Sequence, residues 1–221
     1  MTPLPMFSLV VFDLDGTLID SIGDLAIAVN LLVAEHGGRV LAQAEVATMV
    51  GEGARLLVSR AFAAAGVTSD PHAVLPRFAE IYESLLPGQT RPYPGVPAML
   101  DGAGRVATLA VLSNKPTSAT RKILALLGID HHFLEILGGD GPFPRKPHAD
   151  GLRHLMARAG AAPASTLMVG DSTVDLRTAQ AAQARACIAR YGFGQLTFVP
   201  GDLRGDEFFV DDPHEILAIL S

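Results

Sequence analysis

Two carboxylates set two residues apart, Asp13 and Asp15, stand with Gly16 at the end of an apolar run, Leu9-Val10-Val11-Phe12. Carboxylates this close repel each other, and both stay ionised only where a cation or strong donors share the site. A divalent metal meets that need. Magnesium prefers hard oxygen ligands in an octahedron and commonly works through one or two carboxylates together with a substrate phosphate. An aspartate not fully committed to a metal can also attack phosphorus and form an aspartyl phosphate. The same letters equally suit a strand that runs into an Asp-Gly turn, so the surroundings have to decide.

The elements that would position these groups are legible in the hydrophobic pattern. Leu9 to Phe12 is short, β-branched and aromatic, and apolar at every position, as in a parallel strand buried on both faces. Its end is then the carboxyl edge of a sheet, where open α/β folds bind ligands. After Thr17 the pattern turns helical and remains so to Leu86, too long for one crossover, which predicts an inserted helical unit. Helices are expected from Asp20 or Ser21 as cap to Ala34, from Ala42 to Met49, after Val50-Gly51-Glu52-Gly53 to Gly66, and from Pro71 to Leu86. Residues 87–97, with prolines at 87, 92, 94 and 97, read as the return hinge. The expected division is a core of residues 1–17 and 94–221 and an α-helical insert of residues 18–93.

Beyond residue 94 strands and helices alternate, as in a doubly wound, mainly parallel α/β sheet. A strand over Val106–Leu112 ends in Ser113-Asn114-Lys115, and one over Thr166–Val169 ends in Gly170-Asp171. Leu134–Leu137, Ala186–Ala189 and Phe208–Val210 are further strands, and a closing helix starts at Pro213. A parallel sheet brings Asp13/Asp15, Ser113/Asn114 and Asp171 to one edge. Lys146, on the Gly/Pro-rich loop 138–147, lies toward the same side and offers the compact positive charge that a phosphoryl group wants. Each group taken alone has a plainer use. Ser113 and Asn114 fit a helix cap, Lys146 a solvated lysine, and Asp175 an acid in the first turn of a helix.

At 221 residues the chain has length for one large domain or a domain with an insert, and 49% hydrophobic against 18% charged residues is a globular balance. No apolar stretch approaches membrane-spanning length, and the first residues lack the basic and apolar regions of a leader, so a cytoplasmic protein with no membrane partner is expected. A net charge of −6 without basic blocks argues against nucleic acid. Cys187 is the only cysteine, which leaves no internal disulfide or thiolate zinc site and suits a small buried hydrophobe. The seven histidines show no metal-ligand spacing. Lysine occurs only at 115, 122 and 146, so an anionic substrate must be attracted locally.

In order along the chain, Asp-Leu-Asp-Gly-Thr, Leu-Ser-Asn, Lys-Pro and Gly-Asp-Ser-Thr-Val-Asp resemble the four motifs of the haloacid dehalogenase-like hydrolases. The likeness covers essentially the whole chain, and residues 18–93 are similar to that family's C1-type helical cap. It implies a Rossmann-like core and a magnesium-dependent phosphatase, with Asp13 as nucleophile and metal ligand. Asp15 would protonate the leaving alcohol and then activate water, its carbonyl also binding metal. Gly16, Ser113, Asn114 and Lys146 would bind and orient the phosphoryl group. Asp171 would complete the metal site and Asp175 support it.

An acid at position 15 favours phosphate esters over halides, and the lack of lysine between residues 17 and 93 removes the electrophile a phosphonatase needs. The segments Val50 to Leu57, Tyr93 to Val96 and Tyr191 to Gly194 are similar to those of phosphoglycolate phosphatases. A small phosphorylated metabolite, 2-phosphoglycolate first, is therefore the expected partner of a monomer or homodimer. Gly51, Gly53 and Arg55 are expected to receive its carboxylate at a helix start, although they also suit a plain junction between two helices. A sugar phosphate, a nucleotide or pyrophosphate is the alternative substrate, a phosphosugar mutase an alternative activity, and a non-catalytic phosphate-binding regulator an alternative of another class. Two positions depart from the family pattern: the Lys146-Pro147 segment lacks a second proline, and Gln183 stands where a glycine commonly ends a helix.

Overall fold

The computed structural model describes residues 6–194 and 201–221; the opening residues 1–5, read above as lacking a leader, lie outside the described residues. Six parallel strands form one sheet: β1 (Leu9–Phe12), β4 (Thr108–Leu112), β5 (Ile136–Leu137), β6 (Thr166–Gly170), β7 (Arg185–Ala189) and β8 (Phe208–Val210), in the spatial order β5-β4-β1-β6-β7-β8. Two further strands, β2 (Ile19–Asp20) and β3 (Arg91–Pro92), pair antiparallel with each other.

Every residue of β1 is fully buried, because helices cover both faces of the sheet. Val10 and Phe12 belong to a core shared with α5 (Val96–Ala103) and α9 (Glu215–Leu220). Leu9 and Val11 face the opposite way and pack with Leu152 and Leu155 of α7 (Asp150–Ala159) and Leu176 of α8 (Thr173–Ala182). This period-two division of a uniformly apolar strand is what a doubly covered sheet requires.

Residues 18–93 add no strand to the sheet. They carry α1 (Ile22–Glu35), α2 (Gln43–Ala47), α3 (Ala54–Ala65) and α4 (Leu75–Leu85), with α1 packed against the other three. The chain leaves through Ile19-Asp20 and returns through Arg91-Pro92, so β2 and β3 are the two crossings, zipped together. Buried Asp24 fastens them. Its carboxylate accepts hydrogen bonds from the Gln89 and Thr90 amides at 2.8 and 2.9 Å and from the Thr90 hydroxyl at 2.7 Å.

Among the boundaries that differ from the pattern-based expectation, three have a local reason. The fourth insert helix starts at Leu75 rather than Pro71; residues 71–74 form turns and Pro76 takes the first helical turn, where its missing N–H costs nothing. Val106 and Ala107 donate back to the Ala103 carbonyl and complete the end of α5, so β4 begins only at Thr108. In the third case Leu134 is half exposed and only Ile136–Leu137 joins the sheet. The helix α6 (Thr117–Leu126) follows β4 as expected. Gln183 ends α8 in the left-handed conformation itself, with φ 62°, at the position where glycine is favoured.

Asp24→Ala leaves three donors without an acceptor, the two of Thr90 buried, and is expected to lower stability by roughly 2–4 kcal/mol, while Asp24→Asn, which keeps one oxygen, loses less. Urea unfolding of the three proteins checks the order.

Candidate active site

The register of the sheet assembles the site. Phe12 lies opposite Val111 of β4 and Val169 of β6, so Asp13 leaves the carboxyl edge one residue past these rungs and Ser113 and Asp171 two residues past them. The Asp13 amide still bonds to the Val169 carbonyl at 2.9 Å, and the Ser113 amide to the Leu137 carbonyl at 2.9 Å. These side chains therefore hang from the last rungs of the ladder rather than from a free loop. Sequence spacing set them on strand ends; pairing brought them together.

Lys146 reaches this edge from the loop before α7, and it is buried rather than solvated. Its Nζ lies 2.7 Å from Asp13 Oδ1 and 2.7 Å from Asp175 Oδ1. Asp175 is no surface acid either. It sits in the first turn of α8, where its Oδ2 accepts from the Ser172 amide and hydroxyl and closes a capping box. Asp171 Oδ2 accepts from the Gly194 amide at 2.7 Å. Gly16, with φ 86°, is demanded by this crowding: a Cβ there would stand 1.8 Å from Asp171 Oδ2. Gly192 is held for the same reason, since its Cβ would meet the Gly16 carbonyl oxygen at 2.2 Å.

Asp13, Asp171 and Asp175, all buried, each place a carboxylate oxygen within 4.8 Å of the others. One ammonium faces three carboxylates. Burial pushes the Asp13 carboxyl up to about 7 despite Lys146, and burial, Asp175 and Asp13 together hold Asp171 well above the usual range. Burial opposes the charge on Lys146, but Asp13 and Asp175 outweigh it and keep the ammonium protonated. The set is short of positive charge and consists of hard oxygen donors, which is the chemistry a divalent cation fits. Among the described residues no other group of three acidic, histidine or cysteine side chains has this geometry.

Asp15 faces the other way and has its own lysine. Lys115 Nζ lies 2.7 and 2.8 Å from the two Asp15 oxygens and donates to Tyr82 Oη on α4 at 3.1 Å. Ser21, a candidate helix cap on sequence grounds, instead donates its hydroxyl to Asp15 Oδ1 at 2.6 Å, and Asp20 Oδ1 takes the Ile22 amide. Asp13 and Asp15 open into a chamber of about 490 Å³ between the sheet edge and the insert helices. Ser113 and Asn114 line it, as do Gly51, Gly53 and Arg55 from the α3 entrance, while Leu25, Leu57 and Phe78 make its far wall apolar.

Ser113 and Asn114 do not cap α6, whose first amide, that of Thr117, bonds to Asp140 at 2.7 Å. Asn114 instead donates to the Gly51 and Lys146 carbonyls, both at 3.1 Å, and so ties the insert to the lysine loop. Arg55 lies on an exposed position and holds His72, with Nε 3.1 Å from the imidazole Nδ1. Lys115 and Tyr82 are absent from the site residues singled out by pattern, while sequence reasoning reads Ser21 only as a helix cap and Gly194 only as part of the segment Tyr191 to Gly194. For Lys115 a signal existed: it is one of three lysines and directly follows the Ser-Asn pair at a strand end. For Tyr82 none did.

Comparison with known proteins finds related sequences and structures. The family model described as haloacid dehalogenase-like hydrolase matches residues 10–189. Among sequence relatives, a phosphoglycolate phosphatase of Rhodospirillum rubrum is 39% identical over 84% of this chain and 80% of its own length. One from Haemophilus influenzae strain 86-028NP is 35% identical over 97% of this chain and 98% of its own. Among solved structures, a predicted phosphoglycolate phosphatase from Haemophilus somnus 129pt superposes with a TM-score of 0.89 at 33% identity, covering 98% of this chain and 99% of that one.

The raised Asp13 and Asp171 carboxyls give a signed expectation. Unfolding releases their protons once pH exceeds the ordinary value near 3.8, so without a cation their contribution to stability falls as pH rises from about 4 toward 7. A divalent cation needs the ionised forms and should therefore raise Tm more at pH 7.5 than at pH 5. Melting with magnesium or with a chelator at both pH values checks this, and Asp171→Asn should flatten the difference.

Proposed function

The chain belongs to the haloacid dehalogenase-like hydrolase family, and on that premise we propose that it is a magnesium-dependent phosphatase cleaving 2-phosphoglycolate to glycolate and phosphate. The observation that carries this reading is the pair of carboxylates opening into one chamber, Asp13 against Lys146 and Asp15 against Lys115. The relatives named phosphoglycolate phosphatases supply the substrate.

In this reading an Asp13 oxygen attacks phosphorus and the ester oxygen leaves, giving a phosphate carried on Asp13. Lys146 and the Ser113 hydroxyl hold the phosphoryl oxygens, while Asn114 acts by fixing the loop that carries Lys146. Gly16 keeps the backbone clear beside Asp171. Asp15 delivers a proton to the departing glycolate oxygen and then takes one from the water that hydrolyses the aspartyl phosphate. Magnesium, when bound, would be held by Asp13, Asp171 and the Asp15 carbonyl, with Asp175 behind them, and would neutralise charge on the phosphoryl group. Residues 18–93 act as a cap over a core of 1–17 and 94–221, excluding water until the phosphoryl group has moved. Gly51 and Gly53 shape the chamber roof, and Arg55 attracts anions to it.

One observation favours a second reading. The chamber is larger than a two-carbon ester requires and largely apolar, which suits a bulkier monoester such as a sugar phosphate or nucleotide, with pyrophosphate and mutase chemistry as related variants. A silent phosphate-binding regulator would have no use for an acid at position 15. In this reading the enzyme acts in the cytoplasm as a monomer or homodimer.

Phosphate release from a panel of phosphoglycolate, sugar phosphates, nucleotides, pyrophosphate and an aryl phosphate tests the reading. Turnover should need magnesium, peak on phosphoglycolate, and fall by roughly 10³-fold or more in Asp13→Asn, since the covalent route is lost. A flat profile would remove phosphoglycolate; no turnover on any ester would remove the phosphatase. Arg55→Ala should raise KM about 2–5-fold for all the anionic substrates alike, as expected for attraction at a distance.

A further inference from the structure

We propose that Lys115, together with Tyr82, is the specificity-determining site for the carboxylate end of the substrate. The proposal rests on the reading of the substrate as a short acidic phosphate ester, and it names the groups that would recognise it.

The argument begins from reach. To accept a proton, the ester oxygen of the substrate must lie against Asp15. In phosphoglycolate one methylene separates that oxygen from the carboxylate, and with bonds of about 1.5 Å the carboxylate oxygens fall within about 4 Å of it. The group that receives them must therefore be an immediate neighbour of the Asp15 side chain. Lys115 is that neighbour, its Nζ at 2.7 and 2.8 Å from the two Asp15 oxygens.

The other cations around the chamber are committed or remote. Lys146 is spent between Asp13 and Asp175 on the phosphoryl side. Arg55 is exposed and bonded to His72, and Arg145, which also lines the chamber, is exposed and gives its Nε to the Gly139 carbonyl. Lys122 lies on the surface near Glu83. The insert itself contains no lysine, so its apolar wall of Leu25, Leu57 and Phe78 has a buried ammonium only because the end of β4 supplies one.

Donor and acceptor counting supports the pairing. An ammonium has three N–H groups, and here they meet two Asp15 oxygens and the Tyr82 oxygen. Tyr82 accepts in that contact and so retains its own hydroxyl proton. A substrate carboxylate can take the third Lys115 hydrogen in place of the phenol oxygen and accept the Tyr82 proton on its second oxygen. Apolar walls exclude competing water and strengthen both bonds. An ester without the carboxylate leaves the pair as it stands. A longer acid carries its charge past it. Because β4 is a rigid strand and Tyr82 rides on the insert, substrate bound this way is gripped from both sides of the chamber.

The test compares kcat and KM on phosphoglycolate and on ethyl phosphate, which has the same carbon count without the carboxylate, for wild type, Lys115→Met, Lys115→Arg and Tyr82→Phe. Lys115 also holds Asp15, and loss of that role slows both substrates equally. The discriminating quantity is therefore the ratio of the two kcat/KM values. Lys115→Met is expected to lower that ratio about 10- to 100-fold, mainly through KM for phosphoglycolate, as for a lost charged hydrogen bond. Lys115→Arg should recover part of it. Tyr82→Phe, which keeps the ring and only removes the hydroxyl, should lower the ratio several-fold and covers the case in which the lysine variants do not fold. A wild-type preference for phosphoglycolate that survives unchanged in Lys115→Met or, should that variant not fold, in Tyr82→Phe overturns this assignment and leaves the phosphatase reading intact. A wild type with no preference between the two esters overturns the phosphoglycolate reading and the assignment with it.

Discussion

The constraint on which this structure turns is the burial of unlike numbers of charges at one sheet edge. Asp13, Asp171 and Asp175 are nearly inaccessible to water, and Lys146 alone stands among them. Buried carboxylates without compensation give up their charge, which is the direction Asp13 and Asp171 take. A fold maintains such a cluster only if something rigid holds it, and here that is a parallel ladder with strands covered on both faces. The cost of gathering these groups is carried by β1, whose four residues have no exposed surface.

Around that edge the molecule separates two charge environments that lie two residues apart in the chain. Asp13 points to Lys146 and the metal-like cluster; Asp15 points to Lys115 and the insert. In the proposed mechanism this separation lets one carboxylate serve as nucleophile while its neighbour handles protons, each facing its own lysine. Asn114 joins the halves, bonding at once to Gly51 of the insert and to the Lys146 carbonyl. The insert is thereby tied to the loop that carries Lys146.

The hinge answers a different demand. The chain must leave the sheet edge and come back within reach of the same site. Pairing of Ile19-Asp20 with Arg91-Pro92 and the Asp24 clamp keep the two crossings together. Leu14, Leu18 and Ile19 extend the apolar core from the sheet into the insert helices, so the crossing is a packed joint rather than a free linker.

The sequence by itself determined the parallel sheet, the helical insert and the place of Asp13, Asp15, Ser113 and Asp171 at strand ends, because apolar runs of strand length that stop at polar groups are local patterns; Lys146 was singled out by its loop and Asp175 by the resemblance of its motif. It also left Ser113, Asn114, Lys146 and Asp175 with plainer uses that pattern alone could not remove. Tertiary structure removed three of them, since Lys146 is buried and α6 begins without Ser113 or Asn114; Asp175 keeps its place in the first turn of α8 but is buried there against Lys146. Only the fold revealed that Lys115 grips Asp15, that Ser21 serves Asp15 instead of its own helix, and that the Gly194 amide meets Asp171. The physical reason is distance along the chain. A strand end or a capping motif is written within a few neighbouring residues, whereas Tyr82 with Lys115, or Gly194 with Asp171, meet only after the sheet has set its register and the insert has folded back over it.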